Sequence, residues 1–425
     1  MTSTRTLRRK TLAGAALAAL TITATACVAD GGTAGSADRT GVVAGASKDE
    51  YIAAFEDIPP IHLTTQLPTS PGDAQALHIE TYAEALNEWS GGKITMEVAY
   101  GNSIAPPDQA PQALADGRLD FDYVYAVYEP SRYPAHGALA NASFLGDHTP
   151  VAGTLEALGG YLEAALATPE IMAETEREGV KLLLPWGAAT SSGLMCTQPR
   201  ASLAELSGAQ VRVGGAAFAR QAEALGMSPV SLPYSEIYQA LQRGTIDCEL
   251  QALWTRYIVG TVPLAPNYTI DSDVGFARLF YGLGFGKAKW DSLPLVAQQL
   301  IYDRLDVYIE VMLREGIWNT TIGAAELIDE NGGTYSSFSP DVAAALTEVN
   351  AQMLGEARRS PVLDGDALVS SLEDALQRWR GVVAELGYPG VSDAEFLDWY
   401  TSSEIDLEPF MDRLREDVLS QHRPS

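Results

Sequence analysis

The stretch LPYSEIYQALQRGTID, residues 232–247, decides the fold class of this 425-residue chain. Ile237, Ala240 and Leu241 recur at helical spacing and form one apolar face, and Gly244 follows them as a helix stop. A loop from a strand edge precedes this helix, and the last residues of the stretch begin a new strand. Strands that alternate with short helices in this way indicate an α/β protein.

The same alternation continues on both sides of this stretch. Short β-branched runs predict strands at residues 61–65, 93–99, 121–127, 180–184, 194–197, 211–213, 278–284 and 334–338. Amphipathic segments predict helices at residues 74–89, 109–115, 218–225 and 235–242. The run from Pro294 to Glu330 has no internal proline and predicts one helix that is longer than a usual globular helix.

Residues 1–26 have the composition of a secretory signal peptide. Basic residues come first, and an apolar run from about Leu12 to Ile22, too short to span a membrane, follows them. Ala24 to Ala26 before Cys27 resemble a bacterial lipobox, which predicts acylation of the Cys27 thiol. Ordinary signal cleavage beside an incidental cysteine is the alternative. Lipidation would make the chain an exported cell-membrane lipoprotein that faces the extracytoplasmic side.

The two ends of the mature chain differ from its centre in composition. Residues 27–57 are rich in Gly, Ala, Ser and Asp, which predicts a flexible, lipid-anchored tether. Residues 361–425 are acidic and are predicted to form a helical C-terminal extension. The chain between them is long enough for two domains, and no later segment has the length of a transmembrane helix.

The formal net charge of -27 at pH 7 restricts the classes of partner. Nucleic-acid binding needs clustered Lys and Arg, so we predict no nucleic-acid partner. The sequence contains no HExxH, zinc-cysteine pair, P-loop or G-x-S-x-G motif. We therefore predict no metal, no cofactor and no enzymatic activity.

Cys196 and Cys248 remain as cysteines of the mature domain once Cys27 is set aside. An oxidising compartment permits a disulfide between them. Two separate buried thiols, which behave as small apolar residues, are the alternative. The sequence leaves both possibilities open.

Residues 232–247, with LGMSPVS before them, resemble the DctP-type solute-binding proteins of TRAP transporters, which carry a similar ALQ-x-G-x-x-D run. Further segments are similar in order and spacing over roughly residues 60–350. These are GGKITMEVAYGNSI (91–104) followed by ALADGRLDF (113–121), then LSGAQVRVGG (206–215) and KAKWDSLPLVAQQLI (287–301).

The resemblance implies a periplasmic-binding-protein-like fold of two α/β domains with a hinge, spanned by the long helix. Domain I would comprise residues 58–190 and 277–320, and domain II residues 191–276 and 321–360. By the same resemblance, the chain is a monomeric receptor that closes around a small carboxylate-containing organic anion. It then delivers this ligand to the membrane permease subunits of a TRAP transporter.

Arg212 lies where the resembled family has the arginine that receives the ligand carboxylate. A guanidinium presents a planar fork that matches both carboxylate oxygens. The alternative is a surface arginine paired with an acidic neighbour. The sequence departs from the family pattern at Cys248, where glycine is usual, whereas Gln251 falls at the position of a ligand-binding amide.

Further candidate ligand contacts lie near predicted strand ends or loops, where α/β proteins gather their binding residues. The aromatic candidates would stack on an apolar face of the ligand, although each such residue is more often part of a core. The candidates are Trp254, Tyr128, Tyr234, Trp186, Thr65 and Ser192.

Two other functions fit part of this pattern. A binding protein of an ATP-driven (ABC) importer shares export, tether and closure of two domains, and a kinked pair of short helices in residues 294–330 would favour it. A secreted hydrolase of acidic sugars fits the exported, acidic, α/β character. Turnover of a candidate ligand would support that hydrolase.

Overall fold

The computed structural model describes residues 41–187, 190–271, 273–400 and 405–425. The predicted signal peptide and Cys27 lie outside these residues. In the described part of the chain, no helix combines the length and the apolar character needed to cross a bilayer.

In the described residues, strands and helices alternate from residue 48 to residue 336, and helices alone follow. The strands are β1 Ile61–Leu67, β2 Ile94–Tyr100, β3 Phe121–Val124, β4 Val180–Leu184, β5 Gly193–Cys196, β6 Gln210–Val213, β7 Ser228–Ser231, β8 Cys248–Gln251, β9 Asn267–Thr269, β10 Gly282–Gly286 and β11 Thr334–Ser336. The helices are α1 Lys48–Ala54, α2 Leu77–Trp89, α3 Ala110–Ala115, α4 Pro134–Ala140, α5 Ala152–Leu166, α6 Pro169–Arg177, α7 Leu203–Leu206, α8 Ala216–Ala224, α9 Ile237–Gln242, α10 Leu253–Val259, α11 Lys287–Ser292, α12 Leu295–Asp303, α13 Leu305–Val311, α14 Thr320–Glu330, α15 Pro340–Arg358, α16 Gly365–Glu385, α17 Asp393–Tyr400 and α18 Glu408–Asp417. Short 3-10 turns are Pro107–Gln109, Ala126–Tyr128, Tyr234–Glu236 and Leu419–His422.

The strands form two small sheets and one large sheet. The small sheets are the parallel pair β1-β2 and the antiparallel sheet β3-β10-β4. The large sheet has the order β11-β9-β5-β8-β6-β7 and mixes parallel with antiparallel neighbours. This mixture of helices and sheets confirms the predicted α/β class.

The predicted single helix from Pro294 to Glu330 is interrupted in the structure. Helices α12 and α13 meet at a turn at Arg304, and a π-helical segment, Met312–Asn319, lies between α13 and α14. Within this segment the carbonyl of Gly316 accepts hydrogen bonds from the side chains of Gln75 and Thr320. Because these donors compete for the helical acceptor, the regular α-helical pattern is not kept.

The predicted tether is shorter than residues 27–57. Residues 48–54 form helix α1, which begins with a capping box between Ser47 and Glu50. Tyr51 and Phe55 from this region are buried in the main hydrophobic core. The prediction of a tether up to residue 57 is therefore wrong. Burial of two large aromatic side chains stabilises the folded form of this segment by more than the loss of chain flexibility costs.

The C-terminal extension is helical, as its composition predicted, and packs on helix α5. Gly159 and Gly160 of α5 lie directly beneath Trp379 and Leu376 of α16. The Trp379 indole donates a hydrogen bond of 2.9 Å to Glu163, and Arg380 forms a two-pronged contact with the buried carboxylate of Glu156. The two glycines therefore allow a close approach that a larger residue would prevent.

Substitution of Gly159 with alanine should destabilise the protein. A Cβ atom there would lie 2.2 Å from the Trp379 ring, so the ring or the helix must move, at a cost of about 1–3 kcal/mol. Gly381→Ala is the matched control, since Gly381 lies exposed on α16 with nothing within 4 Å of its added Cβ. Urea denaturation should show a loss for the first variant and a small gain for the second. Equal stability of the two variants would contradict the close packing.

The last residues of the chain return to its first described residues. Arg423 bonds both carboxylate oxygens of Asp303, at 2.9 and 3.1 Å, and its guanidinium also donates to the carbonyl of Val42. The side chain of Gln299 bonds the amide of Val42 and the carbonyl of Pro424. We call this set the terminal clasp.

Candidate functional site

A cavity lies between the small sheets and the large sheet. Tyrosines from the β3 and β10 regions line one side, and residues that follow strands β7 and β8 line the other. The lining includes Tyr123, Tyr125, Tyr128, Tyr281, Tyr234, Gln251 and Trp254. These positions follow or flank strand ends, where α/β proteins usually place their ligand contacts.

Arg212 lies on strand β6, directly behind the cavity wall. Its neighbours Val211 and Val213 pack into the core of the large sheet with Phe218, so strand alternation turns Arg212 to the opposite face. The guanidinium is fully buried. Arg212 does not line the cavity, but it contacts Gln251, and Gln251 does line it.

The contacts of Arg212 leave part of its guanidinium unused. Nε donates to the Leu232 carbonyl at 2.8 Å, and Nη1 donates to the Gln251 side-chain oxygen at 2.6 Å. Both partners are uncharged. Nη2 is buried and has no hydrogen-bond partner among the described residues. A buried cation of this kind favours an anionic partner, because its charge is otherwise uncompensated.

Gln251 connects Arg212 to a second buried arginine. Its side-chain oxygen also accepts from Nη1 of Arg256 at 3.4 Å. Arg256 forms a fully buried ion pair with Glu249, whose other oxygen accepts from Thr261 at 2.6 Å. Burial lowers the pKa of Arg256 to about 10, and the Glu249 carboxylate opposes this shift. Glu249 therefore balances Arg256, and the charge of Arg212 is left over.

The hydroxyl of Tyr128 is another unused donor beside Arg212. It is buried and close to the Arg212 guanidinium and the Tyr234 amide, but no hydrogen bond of regular length and angle joins it to the described residues. Burial raises the pKa of Tyr128, and the nearby positive charge of Arg212 opposes that rise. The neutral hydroxyl thus stays protonated beside the guanidinium. Together, the Tyr128 O–H and Nη2 of Arg212 offer two donors to one incoming carboxylate.

Two more predicted contacts line the cavity and are held at their polar ends. The Tyr234 hydroxyl accepts from the Asn102 side chain at 2.9 Å. The Trp254 indole donates to the Thr190 hydroxyl at 3.1 Å. These hydrogen bonds hold both rings in place in the absence of a ligand. The apolar faces of the rings can then contact a ligand in the cavity.

Three predicted contacts lie away from the cavity lining. Trp186 is fully buried between Tyr161 and Phe280, with ring centroids at 4.1 and 4.3 Å. Its position in this stack corrects the expectation of a cleft wall, because both ring faces are already covered. Thr65 and Ser192 are also buried, and neither of them lines the cavity.

Sequence reasoning missed Tyr123, Tyr125 and Tyr281, which line the cavity. The alternating tyrosines of FDYVYAVY, residues 121–128, were the available signal, since alternate residues of a strand share one face. Asp122, on the same strand, was missed too. It is buried and accepts from Gln66 at 2.9 Å, and burial raises its pKa to about 7.

Cys196 and Cys248 form a disulfide in the structure. The two residues face each other across the antiparallel pair β5-β8, with Cα atoms 4.1 Å apart. Cys248 begins the strand that ends at Gln251. The bridge therefore joins the two strands at the centre of the large sheet, three residues from the amide that contacts Arg212.

Solved structures with a similar fold include solute receptors of known ligand. A marine-metagenome TRAP solute-binding protein from an unidentified microbe, specific for pyroglutamate, is 16% identical, with a TM-score of 0.64 over 75% of this chain and 100% of that chain. A second marine-metagenome TRAP protein, specific for aromatic acid ligands and solved with metahydroxyphenylacetate, is 22% identical, with a TM-score of 0.62 over 75% and 99%. Both likenesses show a shared fold, that of two-domain binding proteins.

Among curated sequences, the uncharacterized protein y4mM of Sinorhizobium fredii is 24% identical over 294 residues, which is 69% of this chain. The chain spans about half the length of that relative. The sequence model of the family "Bacterial extracellular solute-binding protein, family 7" matches residues 67–360, which is more than half of the chain. The interrupted helix in residues 294–330 was expected to favour an ABC-importer protein, and the family match shows that this feature does not discriminate. The family consists of extracytoplasmic solute receptors that work with TRAP permeases, which decides against an ABC-importer protein and against a hydrolase. The chain therefore belongs to the bacterial extracellular solute-binding protein family 7, the DctP family.

Proposed function

We propose that this protein captures a small carboxylate-containing organic anion in the tyrosine-lined cavity and delivers it to the permease of a TRAP transporter. The observation that carries the proposal is the unpaired Nη2 of the buried Arg212. The Tyr128 hydroxyl would supply a second donor, and Gln251 would hold the guanidinium in place. An ionised acceptor completes such a site better than a neutral one.

Local charge explains how an acidic protein attracts an anion. The chain carries a formal net charge of -27, so its outer surface repels organic acids. The cavity differs because Arg212 is buried, and the attraction between a buried charge and an anion is screened less than it would be in water. Capture therefore depends on this one guanidinium rather than on the field of the whole protein.

The ligands of the similar structures support the same chemistry. Pyroglutamate and metahydroxyphenylacetate each carry one carboxylate. We propose that Arg212 receives this group here, with Tyr128, Tyr234, Gln251 and Trp254 around the rest of the ligand. Trp186, Thr65 and Ser192 would not contact the ligand, and would at most support the lining residues from behind.

We further propose that residues 58–190 with 277–320 and residues 191–276 with 321–360 move as two domains that close on the ligand. Acylation of Cys27 would keep this receptor, a monomer, on the extracytoplasmic face of the membrane. Delivery to the permease then requires no release into bulk solvent.

Mass spectrometry of the small molecule released by heating the purified protein tests the proposal. We expect an unchanged organic acid, at about one molecule per chain, that rebinds the emptied protein in calorimetry. Cells that lack the protein should lose uptake of this acid. Recovery of reaction products, or failure of the emptied protein to bind any organic acid, would reject the proposed function.

A further inference from the structure

We infer that the ligand is a monocarboxylate with a flat, largely apolar ring, and this inference rests on the proposed function. Dicarboxylates and polyhydroxylated sugar acids are the excluded classes.

Charge limits the ligand to one carboxylate. Behind the cavity wall, Glu249 pairs with Arg256, which leaves the single positive charge of Arg212. The described residues that line the cavity include no Lys, Arg, Asp or Glu. His78 is the remaining titratable base in the lining, and burial lowers its pKa to about 3, so it is neutral. A second carboxylate would lose its hydration without gaining an ionic partner.

A buried carboxyl group near the lining tyrosines, Asp122, adds repulsion to this loss when it is ionised. Asp122 is buried beside the β3 tyrosines, and its charge acts on Tyr125 and Tyr234, both of which line the cavity. Its carboxylate is held by Gln66 and by the amide of Tyr123. Because burial raises the pKa of Asp122 to about 7, its negative charge would disfavour a second carboxylate in the cavity above that pH.

The tyrosine hydroxyls do not require a hydroxylated ligand. The Tyr123 hydroxyl bonds His78, that of Tyr281 bonds Tyr308 at 3.1 Å, and that of Tyr234 bonds Asn102. Three of the five lining tyrosines therefore already have a protein partner at the hydroxyl, and Tyr128 is the donor assigned to the carboxylate, which leaves mainly ring carbon for the rest of the ligand. A sugar acid would bury several hydroxyls against this carbon surface without partners.

The rings of the lining form one connected aromatic cluster. Tyr125 stacks on Tyr128, with centroids 5.2 Å apart and planes 11° apart, and Tyr123 meets Tyr281 edge to face at 4.9 Å. Tyr234 lies 6.0 Å from Tyr125. A flat ring joins such a cluster by the same stacked or edge-to-face contacts. Its carboxylate would then reach the donors beside Tyr128.

Calorimetry of the emptied protein with four probes tests the inference. Phenylacetate should bind roughly 100-fold more tightly than succinate or gluconate, because their additional polar groups lack partners. Phenylacetamide, which keeps the ring and loses the charge, should bind at least about 100-fold more weakly than phenylacetate. Tighter binding of succinate or gluconate would overturn the inference and leave the proposed function intact. Binding of none of these acids, with no acid released from the purified protein, would reject the proposed function.

A pair of tyrosine variants separates ring recognition from carboxylate recognition. Tyr125→Leu should weaken phenylacetate binding roughly 3- to 10-fold, the scale of one aromatic pair. Tyr238→Leu should leave binding unchanged, because Tyr238 is 42% exposed and does not line the cavity. Equal affinities of both variants, with melting temperatures matching the unmodified protein, would show that the ring cluster does not recognise the ligand.

Discussion

Replacing Arg212 with methionine is expected to weaken binding of the organic acid by at least about 100-fold, because removal of one partner from a buried charge pair costs about 2–5 kcal/mol. Methionine keeps much of the side-chain volume and removes both the charge and the donors. Arg212 is fully buried, and its Nη2 has no partner in the described part of the chain. Isothermal calorimetry with the acid identified by mass spectrometry measures the change.

The stability of the empty variant decides how the loss is interpreted. Arg212→Met removes the bonds to Leu232 and Gln251, but it also removes a buried charge without a counter-ion. These effects oppose each other, so the melting temperature should change little. Arg118→Met is the matched control, since Arg118 is an exposed arginine paired with Asp116. A large loss of stability with retained binding would identify Arg212 as a structural residue.

Removal of the Cys196–Cys248 bridge should give the largest change in stability. The bridge closes a loop with a sequence separation of 52, for which chain entropy predicts a loss of about 4 kcal/mol in the free energy of unfolding. Urea denaturation of the Cys196→Ala, Cys248→Ala double variant measures this loss. A thiol reductant should destabilise the unmodified protein to a similar extent and leave the double variant unaffected. An identical urea midpoint for both proteins, with and without reductant, would contradict the prediction.

The position of Arg212 was predictable because it depends on local pattern. Val211 and Val213 mark a strand whose apolar face joins the core, so the residue between them must face the other way. Gln251 was chosen by the family resemblance, because it falls at the position of a ligand-binding amide. Its strand was marked by the helix-glycine-strand order of residues 237–251. Short-range periodicity therefore predicted the fold class and these strands, whereas the ligand-binding roles of Arg212 and Gln251 rest on the family resemblance.

The remaining errors concern contacts between distant parts of the chain. Trp186 follows a strand end, as cleft residues do, yet Tyr161 and Phe280 cover both of its faces. The π segment depends on a bond between Gln75 and Gly316, residues 241 positions apart. The interrupted helix and the buried tryptophan were therefore not readable from spacing alone.

The tether was misjudged for a different reason. Composition indicated a flexible segment up to residue 57, and most of its residues are indeed small or polar. A single turn of apolar side chains, Tyr51 and Phe55, was enough to fold its last part onto the core. In short segments, two well-placed aromatic residues outweigh average composition.

The terminal clasp has a practical consequence for labelling this receptor. Since Arg423 holds Val42, a fluorophore or affinity handle fused after Ser425 would emerge at the same corner as the leader-proximal end. Immobilisation through such a handle would hold the molecule by the corner where its first described residues lie. A biosensor surface prepared in this way would hold every receptor molecule in the same orientation.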